Sequence, residues 1–93
     1  MTLLKRLVLD VLKPHQPNAL EFANSLADVG DDYHVVITVL EVDENTETVQ
    51  IEIEGRDINF SNIQSAITDM SGSLHSIDIV EVQSKPVTSS TES

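Results

Sequence analysis

The sequence predicts an α+β domain: a ferredoxin-like βαββαβ sandwich, with a four-stranded antiparallel sheet and two helices on one face. Three observations point there. Apolar residues recur at strand period in four segments and at helical period in two. The segments follow in the order strand, helix, strand, strand, helix, strand. The two middle strands are separated only by the polar turn Asp43-Glu44-Asn45, so they pair as a hairpin, and each helix then carries a crossover. With 93 residues the chain makes one small domain, expected over residues 1–83, followed by a polar tail over 84–93 with no core-forming pattern and an expectation of disorder.

The first strand is read from the nearly continuous apolar run Arg6-Leu7-Val8-Leu9-Asp10-Val11-Leu12-Lys13, stopped by Pro14. Leu7, Leu9 and Val11 share one face; Val8, Asp10 and Leu12 share the other. Asn18 is a good N-cap with Glu21 three residues on, and the helix runs to about Val29 with Leu20, Ala23, Leu26 and Ala27 as its stripe and Gly30 ending it. The second strand, Tyr33 to Val42, is rich in β-branched residues, and the third, Thr46 to Glu54, alternates strictly, with Val49, Ile51 and Ile53 inward. A second helix starts at Asn59 or Ser61 and buries Ile63, Ala66, Ile67 and Met70. The last strand, Leu74 to Val82, sets His75, Ile77, Ile79 and Glu81 against Leu74, Ser76, Asp78, Val80 and Val82. In this topology the first and third strands are central, and the sheet face without helices, carrying Val8 and Leu12, is a candidate interface.

Five Lys/Arg stand against sixteen Asp/Glu, a net charge of −11. No Lys or Arg lies between Pro14 and Gly55, while ten acids do. Such self-repulsion is tolerable where salt screens it within a few Å, which suggests a salt-adapted protein; the rival is an acidic surface that recruits cations or a basic partner. Nucleic-acid binding is disfavoured, because counterion release needs a basic face. There is no cysteine, and no apolar run reaches the roughly 18 residues of a membrane span. The start, Met1-Thr2-Leu3-Leu4-Lys5-Arg6, lacks the order of a signal peptide, so a cytoplasmic location is expected.

The carboxylates of Asp10 and Asp78 sit in otherwise apolar strands that are neighbours in this fold. On one face they come within about 5–8 Å as a direct or diagonal pair, with Glu52 on the next strand as a third oxygen donor. Oxygen ligands without cysteine suit Ca²⁺ or Mg²⁺. The plain alternative pairs Asp10 with Arg6 or Lys13 of its own subunit or a neighbour and leaves Asp78 to solvent. His15, His34 and His75 are too scattered for a transition-metal site within one chain. His75 and Ser76, adjacent on a strand, point to opposite faces, which argues against acyl transfer. No Gly-rich phosphate loop and no catalytic constellation is present, so the protein is read as not an enzyme.

The run Arg6 to Pro14, the stretch Leu74-His75-Ser76-Ile77-Asp78 and the intervening Ile53-Glu54-Gly55 together resemble an archaeal family of unknown function, the domain of unknown function 211. The resemblance spans roughly Lys5 to Val82. It implies a ferredoxin-like fold, a ring-like homo-oligomer and a divalent cation at subunit contacts, with no established activity; the heavy acidity resembles a member from a salt-loving archaeon. Two readings follow: a non-enzymatic, self-assembling domain whose partner is itself, or a regulatory or carrier module binding a divalent cation or small ligand at subunit boundaries.

Overall fold

A computed structural model of the chain describes residues 1–85. The order is β1 (Thr2–Pro14), α1 (Ala19–Ala27), β2 (His34–Val42), β3 (Thr46–Glu54), α2 (Phe60–Asp69) and β4 (Ser73–Ser84). The strands form one antiparallel sheet in the order β2-β3-β1-β4. This is the expected ferredoxin-like α+β arrangement, with β1 and β3 at the centre. β4 includes Ser84, and the amide of Lys85 still donates to the Met1 carbonyl, so pairing runs past the expected boundary at residue 83. The rest of the expected tail lies outside the described residues.

Core formation follows the strand parity. Leu7, Leu9 and Val11 of β1 and Val49, Ile51 and Ile53 of β3 are buried beneath Phe22 and Leu26 of α1 and Ile63 and Ile67 of α2. Each helix thus offers an i, i+4 pair to the sheet. For α1 this stripe is rotated from the expected one: Phe22 is its centre, and Leu20 lies on the solvent side. Asn18 caps α1 through a full reciprocal box. Its Oδ1 accepts from the Glu21 amide at 2.9 Å, and Glu21 Oε1 accepts from the Asn18 amide at 3.0 Å. Asn59 is the cap of α2, accepting from the Asn62 amide at 3.0 Å.

Helix α2 ends in a paired Schellman arrangement. Ser71 takes the left-handed conformation (φ 66°), its amide reaches the Thr68 carbonyl at 2.9 Å, and the Gly72 amide reaches the Ile67 carbonyl at 2.8 Å. Gly72 is needed for closeness: a Cβ there would lie 2.9 Å from Ile67 Cγ2 and 3.2 Å from Phe22 Cζ. After α1 the left-handed residue is Asp32 (φ 68°) rather than Gly30.

The main departure from expectation is β4. Against β1, Asp10 faces Ser76 while Val11 faces Leu74, and Val8 faces Ile79 while Leu9 faces Ile77. His75 and Asp78 are therefore extra residues in two bulges. Strict alternation along this strand does not hold, and Leu74, Ile77, Val80 and Val82 all lie opposite helix-side residues of β1. A third irregularity sits at Lys5 in β1, and a fourth at Leu40 in β2.

The open face is less apolar at its centre than expected. Val8 is only 4% exposed, while Leu12 is open. A valine in a central strand is short enough to be shielded by the longer Arg6, Glu52 and Ile79 around it. Exposed aliphatics gather instead on the edge strands: Val36, Val39, Leu40 and Val42 on β2, and Ile77, Ile79, Val80 and Val82 on β4.

Candidate functional site

The polar site of the open face is built on β1 and completed by the bulges of β4. Asp10 projects from mid-strand, and its Oδ2 accepts from His75 Nδ1 at 3.1 Å. The bulge brings His75 onto this face beside Ser76, which regular alternation forbids. Ser76 Oγ donates to Asp78 Oδ1 at 2.8 Å. Asp10 Oδ1 is buried and has no hydrogen-bond partner. Asp10 is also one of the residues lining a cavity of about 210 Å³, with Val11, Leu12, Thr48 and His75. A buried carboxylate oxygen without a donor costs on the order of 1–3 kcal/mol, so a donor or cation that reached Oδ1 would stabilise the arrangement.

The three expected metal ligands are separately engaged. Asp10 and Asp78 both lie along the β1–β4 seam, but Asp78 is held by Ser76. Glu52 is taken by Arg6, whose Nε and Nη2 each lie 2.8 Å from Glu52 Oε2, with Glu54 at 3.7 Å. The Glu52 hydrogen bond, and then its charge, push the Arg6 guanidinium further toward its charged form. Among the described residues no group of three or more His, Asp or Glu side chains is disposed to hold a metal ion within one copy. Within one copy the plain pairing expected for Asp10 is not formed either. Arg6 is committed to Glu52, Lys13 to Glu47, and Asp10 takes His75.

A second polar cluster was not anticipated. Lys13 lies on the helix-facing side of β1 and is completely buried. Its Nζ donates to Glu47 Oε1 at 3.1 Å and to the Pro14 carbonyl at 2.8 Å, and it stands 5.6 Å from the centre of the Phe22 ring. The other oxygen of Glu47 meets His15 Nδ1 at 3.0 Å, and His15 Nε2 meets the Glu44 carbonyl at 3.0 Å. The hydrogen bond to Glu47 raises the His15 pKa above its ordinary value. The bonds from His15 and then Lys13 lower that of Glu47. The signal for this cluster was present: Lys13 and Glu47 have the same parity as the core residues of their strands, and Val11 opposite Val49 places them opposite each other.

At the far end of the sheet a cavity of about 520 Å³ opens beside Tyr33, Arg56, Asn59 and Asn62. Tyr33 Oη there accepts from the Asn59 amide at 2.7 Å, and Arg56 pairs with Asp32 at 3.1 Å on the surface.

Residues 5–93 match the family described as domain of unknown function 211, "Uncharacterized ArCR". The chain belongs to this family. It is also 43% identical, over 77 residues, to the uncharacterized protein MJ0319 of Methanocaldococcus jannaschii, an alignment covering 83% of this chain and 79% of that protein. The family is uncharacterised, so its members assign no role to Asp10, His75 or Glu47. Among the described residues no helix is long and apolar enough to cross a membrane.

Proposed function

We propose that this chain is a non-enzymatic domain of a salt-adapted archaeon that joins copies of itself into a ring-like homo-oligomer. The carrying observation is the state of the two sheet edges. Among the described residues β2 and β4 each have one side without a strand neighbour, and each bears a row of exposed aliphatic residues. Exposed strand edges are templates for pairing; the bulges at Leu40, His75 and Asp78 blunt part of each edge, and the exposed aliphatic residues beyond them remain available. Because the two edges differ in sequence, a contact from β4 of one copy to β2 of the next is head-to-tail, and head-to-tail contacts close into rings when the rotation allows. The non-enzymatic reading is supported by the open-face cluster: Ser76, the nucleophile type present, gives its hydrogen to Asp78 and not to His75. Salt adaptation rests on the net charge of −11, which must be screened before like copies meet.

A second reading has its own observation. The unpartnered Oδ1 of Asp10 beside a cavity favours a divalent cation or small ligand at a subunit boundary, with Asp78 as a further ligand and Ca²⁺ or Mg²⁺ as the ion. Absolute mass by light scattering in molar KCl, with and without a chelator, tests both. A single large species that ignores the chelator, and falls to monomer in Val80→Glu, is expected from edge-to-edge assembly. A species that dissociates on chelation and returns with Ca²⁺ establishes the second reading. A monomer in both conditions overturns self-assembly.

A further inference from the structure

His15 sits where two parts of the chain that are far apart in sequence come together. It belongs to the turn between β1 and α1, and it reaches the turn between β2 and β3. Both of its ring nitrogens face acceptors, a Glu47 carboxylate oxygen and the Glu44 carbonyl oxygen, each at 3.0 Å. A neutral imidazole has one donor and one acceptor nitrogen and can satisfy only one of these. The doubly protonated ring satisfies both. The groups facing it from the surrounding elements are Glu47 of β3, the Glu44 and Asp43 carbonyls of the turn, and, across Glu47, the ammonium of Lys13 of β1. The Asp43 amide closes the same turn by donating to the Thr46 carbonyl at 2.8 Å.

We propose that His15, Glu47 and the Glu44 carbonyl form a proton-operated clasp. With both ring nitrogens protonated it holds the β2–β3 turn against the β1–α1 turn. Loss of one proton sets two lone pairs face to face and releases one of the two contacts. This device lies within a single copy and does not depend on the assembly reading.

The pH window follows from the two shifts. The folded-state pKa of His15 is raised above 6.5, so its contribution is complete below 6.5 and is lost as pH rises through the higher folded value. That of Glu47 is lowered below 4.5, so its contribution is complete above 4.5 and is lost as pH falls through the lower folded value. The clasp is therefore closed between pH 4.5 and 6.5 and opens as pH rises through the raised His15 value.

The test is an NMR titration of the whole chain in molar KCl, following the histidine rings and the backbone amides of residues 43–46. We expect His15 to titrate with a midpoint above the ordinary histidine value of about 6.5, and the amides of Asp43 and Thr46 to shift with that same midpoint. In His15→Gln the amide shifts lose that step, while the amide spectrum away from the two turns stays unchanged and reports an intact fold. A His15 midpoint at or below about 6.5 overturns the proposal. So do turn amides that stay still through the His15 step, or that keep the step in His15→Gln.

Discussion

Removing the Glu47 carboxylate leaves a buried ammonium without its counter-charge. At 3.1 Å and an effective dielectric near 20, the attraction between Lys13 and Glu47 is about 5 kcal/mol. Two features reduce the loss. The Pro14 carbonyl stays within 2.8 Å of Nζ, and the Glu47 side chain is 17% exposed, so water enters on its side. Glu47→Ala is therefore expected to destabilise by about 3 kcal/mol, near the lower end of what breaking a buried pair costs. For a domain this size that is a fall in melting temperature of roughly 12–24 °C. The control is the surface pair Arg56–Asp32, whose side chains are 81% and 59% exposed; Asp32→Asn is expected to cost at most about 1 kcal/mol. The double variant Lys13→Met, Glu47→Gln removes both charges at once and is expected to recover most of the loss. Urea denaturation in molar KCl measures all of these. A Glu47→Ala cost below about 1 kcal/mol, no greater than that of a surface pair, refutes the argument that Lys13 depends on Glu47.

Two further outcomes are expected. Asn18→Ala removes one arm of the reciprocal cap on α1 and is expected to cost about 1 kcal/mol in the same denaturation assay; no change there would make the box incidental to the stability of α1. Lowering KCl from molar to millimolar is expected to reduce the melting temperature, because sixteen acids face five basic residues; curves that superimpose would remove the case for salt adaptation.

The architecture was legible because element order and the period of the central strands agreed. The parity of Leu7, Leu9 and Val11, the strict alternation of Val49, Ile51 and Ile53, and the Asn18–Glu21 spacing all appear in the structure as read. The site was legible only in part. Asp10 was recognisable as the odd carboxylate of a central strand, but its partner was not, because parity along β4 fails at each bulge and His75 changes face. A bulge is a property of two strands together, set by the register with β1, and one strand's pattern carries little trace of it. The Lys13–Glu47–His15 cluster was missed for a different reason. Lysine at the end of an apolar strand is ordinarily assumed to reach water, whereas here its ammonium is enclosed with Phe22, Glu47 and the Pro14 carbonyl beside it.

Omit His75 and Asp78 from β4, and the remaining sequence reads Leu74-Ser76-Ile77-Ile79-Val80-Glu81-Val82. Its residues then fall alternately toward the helices and away from them, with an aliphatic side chain at every helix-facing place, in step with the observed register. The strand is thus a plain one into which two polar residues have been spliced, and those two residues supply half of the open-face cluster. Splicing of this kind separates heritable change in the site from change in the core. A single-codon loss at either position removes one bulge and leaves the remaining pairings with β1 in place, and loss of both leaves an uninterrupted ladder. Relatives can therefore gain or shed this cluster by insertion and deletion while keeping the same hydrophobic layer, and alignments of such relatives should be gapped at these two codons and not in the adjoining turns.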